Sequence, residues 1–199
     1  MLASRPMNWE SLLCMGDSIT HGARTYLGYP EMAAGMLRKA TGMQWSAWNF
    51  AWNGFKAIDL LRAIDERGAD LVRFNASLCT VMIGTNDAKT NTAPEHYGLV
   101  MEQLLLKAKL VTQNRNLLLL GVPTLAPGMS LPYNAGMNTR IAAYNQILAE
   151  LAAAHSCEFL ELRTAPSDFV DGVHLSDAGV SSFAQQLCER ILRDRGLSG

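Results

Sequence analysis

Leu12-Leu13-Cys14-Met15-Gly16-Asp17-Ser18-Ile19-Thr20 opens with apolar residues and breaks at a glycine into a short polar turn that carries a serine. An apolar run this short, bounded by a turn signal, predicts a buried strand, and one apolar throughout suits a parallel sheet covered on both faces. Ser18 then emerges at the carboxyl edge of that sheet, where open α/β folds bind their ligands. Further runs read the same way at Trp45 to Trp48, Leu78 to Ile83, Leu117 to Val122 and Phe159 to Leu162.

Helical patterns alternate with these runs. Pro30 starts a helix through Lys39, since proline suits a first helical turn. Thr92 and Glu95 have capping-box spacing ahead of a segment reaching about Thr112. Asn138 caps a helix with Ile141, Tyr144, Leu148 and Leu151 on one face, and Ser176 caps a last helix facing inward through Val180, Phe183, Leu187 and Ile191. This alternation predicts a three-layer α/β/α sandwich on a five-stranded parallel sheet, in one domain over residues 1–199. The stretch from Pro123 to Met137, with Pro127-Gly128 and Pro132, reads as a long irregular loop that shapes a site or merely connects.

With 199 residues and 49% hydrophobic content, the chain can bury one good core and is short for two. A net charge of −1 and 18% charged residues leave no basic patch for nucleic acid or anionic lipid, so the expected partner is a small-molecule substrate. Cys14, Cys79, Cys157 and Cys188 fall inside apolar patterns rather than at metal-ligand spacing, and read as reduced core residues with no metal. Met1 to Pro6 lacks an apolar signal core, and no run approaches the roughly 20 apolar residues that span a bilayer. A cytoplasmic protein without stable membrane insertion is expected. No pattern in the sequence specifies an oligomeric state.

A serine hydroxyl is a poor nucleophile at neutral pH unless an imidazole takes its proton and a carboxylate orients that imidazole. The chain offers His21, His96, His155 and His174. His155 at a helix end and His96 near a helix start read as surface residues; His21 can line the site but has no acid beside it except Asp17. His174 follows Asp171 by three residues on one loop, close enough for a local bond that leaves its other nitrogen free for Ser18. Gly84-Thr85-Asn86-Asp87 and Asn53-Gly54 also follow strands. Asn86 can donate to an oxyanion or simply make a turn, and Gly54 can present its N–H or simply end a strand. Ser18 itself can be a nucleophile or a helix cap, and Asp17 is expected to brace its turn. Trp45, Trp48, Trp52 and Phe55 crowd one region as core or as pocket wall.

Taken together, these segments resemble the SGNH hydrolases, also called GDSL-type esterases and lipases. Gly16-Asp17-Ser18-Ile19-Thr20 is similar to the family's first block, Asn49 to Gly54 to its second, Gly84 to Asp87 to its third and Asp171 to His174 to its last. The resemblance implies a flavodoxin-like sandwich with strand order 2-1-3-4-5 and a triad of Ser18, His174 and Asp171. It also implies an oxyanion hole from the N–H groups of Ser18 and Gly54 and the Asn86 side chain, with Asp17, His21 and Asn53 near the site. No metal or organic cofactor is implied. Ala51 stands where the second block often has glycine, which puts the local backbone path in question. The expected reaction is hydrolysis of carboxylic esters of small or medium acyl groups through an acyl-enzyme. Carbohydrate O-deacetylation, lysophospholipase or thioesterase action, and an inactive carbohydrate- or lipid-binding module are the alternatives.

Overall fold

Alternate residues of the central strands point to opposite faces of the sheet, and each face has its own core. Leu13, Met15, Cys79, Val81, Leu117 and Leu119 pack into one. Leu12, Cys14, Leu78, Met82, Leu118 and Leu120 pack into the other. A strand buried on both sides has no polar face, which is why these runs are almost wholly apolar, the buried Thr80 being the exception in the middle of Leu78–Met82.

The computed structural model describes residues 9–113 and 116–196. Five strands, β1 (Trp9–Gly16), β2 (Gln44–Ala51), β3 (Leu78–Met82), β4 (Asn116–Leu120) and β5 (Glu158–Leu160), form one sheet in the order β2-β1-β3-β4-β5. All neighbours are parallel. The helices are α1 (Ser18–His21), α2 (Tyr29–Thr41), α3 (Ala57–Phe74), α4 (Thr85–Lys89), α5 (Pro94–Val111), α6 (Met137–Ala154) and α7 (Asp177–Asp194). Helices α2 and α7 cover one face; α3, α5 and α6 cover the other. This is the flavodoxin-like three-layer sandwich.

The sequence placed the five strands and the helices α2, α5, α6 and α7 correctly, several of their ends incorrectly, and did not mark α1, α3 or α4 as helices. β1 and β2 extend well beyond their apolar cores, because exposed Trp9, half-buried Glu10 and Gln44 and the buried but polar Ser11 continue the ladder. β3, β4 and β5 stop before Ile83, Val122 and Leu162, which are buried in the loops that follow. Thr92 and Glu95 form no capping box: α5 begins on Ala93 with Pro94 in its first turn. Asn138 is not a cap but lies inside α6, where its side chain accepts from the Leu125 N–H (2.9 Å) and donates to the Leu125 carbonyl (3.0 Å). Helix α3 matches none of the expected helix signals; it starts after Lys56, whose N–H donates to Asp59 at 3.1 Å. The Ser176 cap is as expected, accepting from Gly179 N–H at 3.2 Å.

All four cysteines are unpaired thiols; Cys14, Cys79 and Cys188 are buried and Cys157 is partly so. No helix among the described residues is long and apolar enough to cross a membrane. Met1 to Pro6, read for a signal segment, lies outside the described residues.

Candidate active site

Each strand of the central sheet ends at the same edge, and the turns that leave it bring distant segments together. Ser18 opens α1 directly after β1. Asp17 caps that helix, its Oδ1 accepting from the Ile19 N–H at 3.0 Å. The turn is tied sideways as well: the Asn49 amide donates to the Thr20 carbonyl at 2.9 Å, and the Thr20 and Tyr29 hydroxyls lie 3.2 Å apart. Ser18 is thus held by its neighbours rather than by its own side chain, which is free for chemistry.

That side chain meets His174. Ser18 Oγ lies 3.1 Å from His174 Nε2, across a separation of 156 residues. The other ring nitrogen, Nδ1, lies 2.8 Å from Asp171 Oδ2. Asp171 Oδ1 meanwhile accepts the backbone N–H groups of His174 (2.7 Å) and Val173 (3.1 Å), which locks acid and imidazole into one loop. Burial alone would raise the Asp171 carboxyl. The amide and ring of His174 and the Val173 amide outweigh it, so the group sits below its ordinary value and stays ionised beside the imidazole.

The loop needs glycine at position 172. Its φ is +79°, and a Cβ there would meet Ala126 O and Met129 N at 2.8 Å. Through this close approach, and through the Ala126 N–H bond to Gly172 O at 2.8 Å, residues 121–136 are pressed against the histidine loop. The root of that long segment is clamped by α6. Asn145 pairs with both backbone groups of Val122 (2.8 and 3.0 Å), as Asn138 does with Leu125.

On the other side of Ser18 lie Gly54 and Asn86. Gly54 has φ +81°, a left-handed conformation that favours glycine. Its N–H and that of Ser18 have no acceptor among the described residues. Asn86 Nδ2 spends one hydrogen on the Phe55 carbonyl at 3.0 Å, leaving the second for the cleft. Asp87 completes the brace, its Oδ2 accepting from Ala57 N–H at 3.0 Å, so the loops after β2 and β3 are fastened together. β2 runs regularly through Ala51, which pairs with Gly16, so alanine in place of glycine leaves the backbone path intact.

The resulting open cleft has a volume of about 300 Å³ and is lined by Ser18, Asn53, Gly54, Asn86 and His174, with Ala23, Arg24, Lys89 and Tyr133. Asn53 therefore belongs to it. His21 does not line it; the ring turns away and Nδ1 lies 3.1 Å from the Ala51 carbonyl. Asp17 sits beneath the cleft, fully buried. None of the crowded aromatics lines it either. Trp45 is buried between sheet and helices, Trp48 packs edge-on against Phe50 and Phe74, and Trp52 stacks on Phe55. Arg24 and Lys89 were not anticipated, because an isolated cation in a loop or at a helix end carries no motif.

Burial pushes the Asp17 carboxyl from 3.8 up to about 7; the nearby Asp87 adds to the rise, while the Ile19 amide, the Thr85 hydroxyl and Lys89 oppose it. Burial likewise raises Asp87 to about 6, against the pull of the Ala57 amide. An acid with a raised folded-state value holds its proton longer in the folded chain. Its contribution to stability is complete below about 4 and is lost as pH climbs through about 7. Asp17→Asn, neutral at every pH, is therefore expected to gain in melting temperature relative to wild type as pH rises from about 4 to about 8. Thermal denaturation across that range checks this, and a difference constant with pH would contradict it.

A search of curated protein sequences finds no significant match. Among solved structures, the chain is similar to a lipase/acylhydrolase from Enterococcus faecalis at 18% identity and a TM-score of 0.76, covering 94% of this chain and 96% of that one. It is also similar to the native aryl esterase of M. smegmatis at 21% identity and a TM-score of 0.74, over 95% and 100% of the two chains, and to a lipase from a goat rumen metagenome at 17% identity and a TM-score of 0.71, over 89% and 95%. At such identities the likeness speaks to the fold. A family model covers residues 14–181, from within β1 to within α7 and so across every segment that meets at the cleft, and on that match the chain belongs to the GDSL-like lipase/acylhydrolase family of ester hydrolases.

Proposed function

We propose that the protein acts as one catalytic unit, a serine esterase that cleaves carboxylic esters of small or medium acyl groups through an acyl-enzyme. The observation that carries this reading is the unbroken relay from Asp171 through the His174 ring to Ser18 Oγ, with contacts of 2.8 and 3.1 Å. His174 Nε2 takes the Ser18 proton as Oγ attacks the carbonyl carbon. Asp171 fixes the ring with a proton on Nδ1 and stabilises the imidazolium that forms. The carbonyl oxygen, now charged, turns toward the Ser18 and Gly54 N–H groups and the Asn86 amide. His174 then protonates the leaving alcohol, and water repeats the sequence to release the acid.

The cleft lining bears on the substrate. Its side chains are polar or charged apart from Ala23, with Tyr133 the single aromatic. An acyl chain of eight or so carbons would find little apolar surface there, at about 25 cal/mol for each Å² buried. This favours short acyl groups, including the acetyl of an O-acetylated sugar, over lysophospholipid or long-chain thioester. An inactive binding module would have no use for the relay.

Two measurements test the reading. A fluorophosphonate probe is expected to label Ser18 stoichiometrically, and folded protein that stays unlabelled would make it a binding module. In a chain-length series of para-nitrophenyl esters, kcat/KM is expected to peak at acetate to butyrate; a rise towards octanoate would argue for lipid instead.

A further inference from the structure

The cleft beside Ser18 carries a charge pattern that cleaving an ester does not require. Two of its lining side chains, Arg24 and Lys89, are cations, in a chain whose formal net charge is −1. Lys89 ends α4, three residues beyond Asn86, and so shares a helix face with it. Among the described residues it has no salt bridge, and its ammonium lies 5.3 Å from the centre of the Tyr133 ring. It acts on Asp17, drawing the buried carboxyl down, but that group is sealed beneath the nucleophile.

Arg24 stands on the opposite side, beside the histidine loop. Its Nε lies 3.6 Å from Asp171 Oδ2, and the side chain is 60% exposed. At that distance the contact is an ion pair rather than a hydrogen bond, and exposure makes it weak. The rest of the guanidinium has no hydrogen-bond partner among the described residues, so its fork of donors is available. One cation thus stands near the oxyanion donors and the other near the group that protonates the leaving alcohol. A neutral ester would use neither, whereas a carboxylate or phosphate would offer both a charged partner at hydrogen-bonding range.

We propose that this cleft selects esters carrying an anionic group, a carboxylate or a phosphate, which Lys89 receives on the acyl side and Arg24 on the alcohol side of the scissile bond; this rests on the esterase reading above. Asn53 and Tyr133 line the same cleft and add neutral polar groups to it. The charge preference is then a property of the cleft walls and separable from the relay that breaks the bond.

Matched substrate pairs read this directly. Charge on the acyl side is tested by para-nitrophenyl hemiglutarate against its methyl ester. Charge on the alcohol side is tested by para-acetoxybenzoate against methyl para-acetoxybenzoate, all corrected for spontaneous hydrolysis. In at least one pair the anionic member is expected to have a kcat/KM about tenfold higher, the size of one hydrogen bond to a charged group. Lys89→Gln is expected to abolish an acyl-side preference and Arg24→Gln an alcohol-side one. At about 1 M salt, with a screening length of about 3 Å, the preference should shrink in the wild type. Arg73→Gln, which removes a cation at the far end of α3, is expected to leave both ratios as they are. Equal turnover within both pairs, or a preference that survives in both variants, overturns the proposal while the esterase reading stands. If all the esters are inert and Ser18 takes no probe, the esterase reading fails and this one with it.

Discussion

Ser18→Ala is expected to lower kcat by about 10⁶-fold while leaving the fold in place. The two halves of this result have separate causes. Ser18 Oγ makes one side-chain contact, to His174 Nε2, and losing a hydrogen bond of this kind costs about 0.5–1.5 kcal/mol of stability. The turn itself is held by Asp17, Asn49 and Thr20, none of which the substitution touches. Turnover, in the proposed mechanism, depends on a bond only that oxygen can form. Because a nucleophile and its base work as a unit, His174→Ala is expected to cost about as much, and the double variant scarcely more than either alone. Steady-state kinetics on an acetate ester decides the matter. Turnover near normal in either single variant, or losses that multiply in the double, would remove Ser18 and His174 from the chemistry.

The second large effect is expected from Asn86→Ala, a loss of about 10²–10³ in kcat, or roughly 3–4 kcal/mol of barrier. The charge that Asn86 is proposed to meet exists only in the tetrahedral species, so kcat should fall with KM little changed. A structural cost accompanies it, because the part-buried Phe55 carbonyl loses its donor, a loss of about 0.5–1.5 kcal/mol for a hydrogen bond of this kind. For a domain of this size each kcal/mol lowers the melting temperature by about 2–4 °C. Activity measured well below the melting point of the variant separates the two effects. A rise in KM with kcat preserved would make Asn86 a substrate-binding or purely structural residue.

Much of this site was legible because the architecture does the assembling. In a parallel sheet every strand ends at one edge, so short motifs that each follow a strand must converge, whatever their separation along the chain. Ser18, Gly54 and Asn86 are of this kind. Asp171 and His174 were readable as a local pair, since three residues of loop hold them in reach of each other. What escaped the sequence is long-range and carried by common residues. Asn138 has every local mark of a helix cap, yet its amide is spent on Leu125, thirteen residues away in sequence. Arg24 and Lys89 acquire meaning only from facing the same cleft. His21 looked like a site residue by proximity to Ser18, but its ring is taken up by the Ala51 carbonyl, a partner thirty residues away that nothing local announces, and it does not line the cleft.

The paired asparagines of α6 have a consequence for how this enzyme family member can change. Asn145 and Asn138 fix the backbone at Val122 and Leu125, and Gly172 takes the next amide, at Ala126. Anything grafted beyond that point hangs from three riveted joints, so its size and composition can be rewritten without disturbing the relay behind it. The tip around Ser130 to Tyr133, past the contact of Met129 with Gly172, is the natural place for evolution, or an engineer, to recut the substrate range.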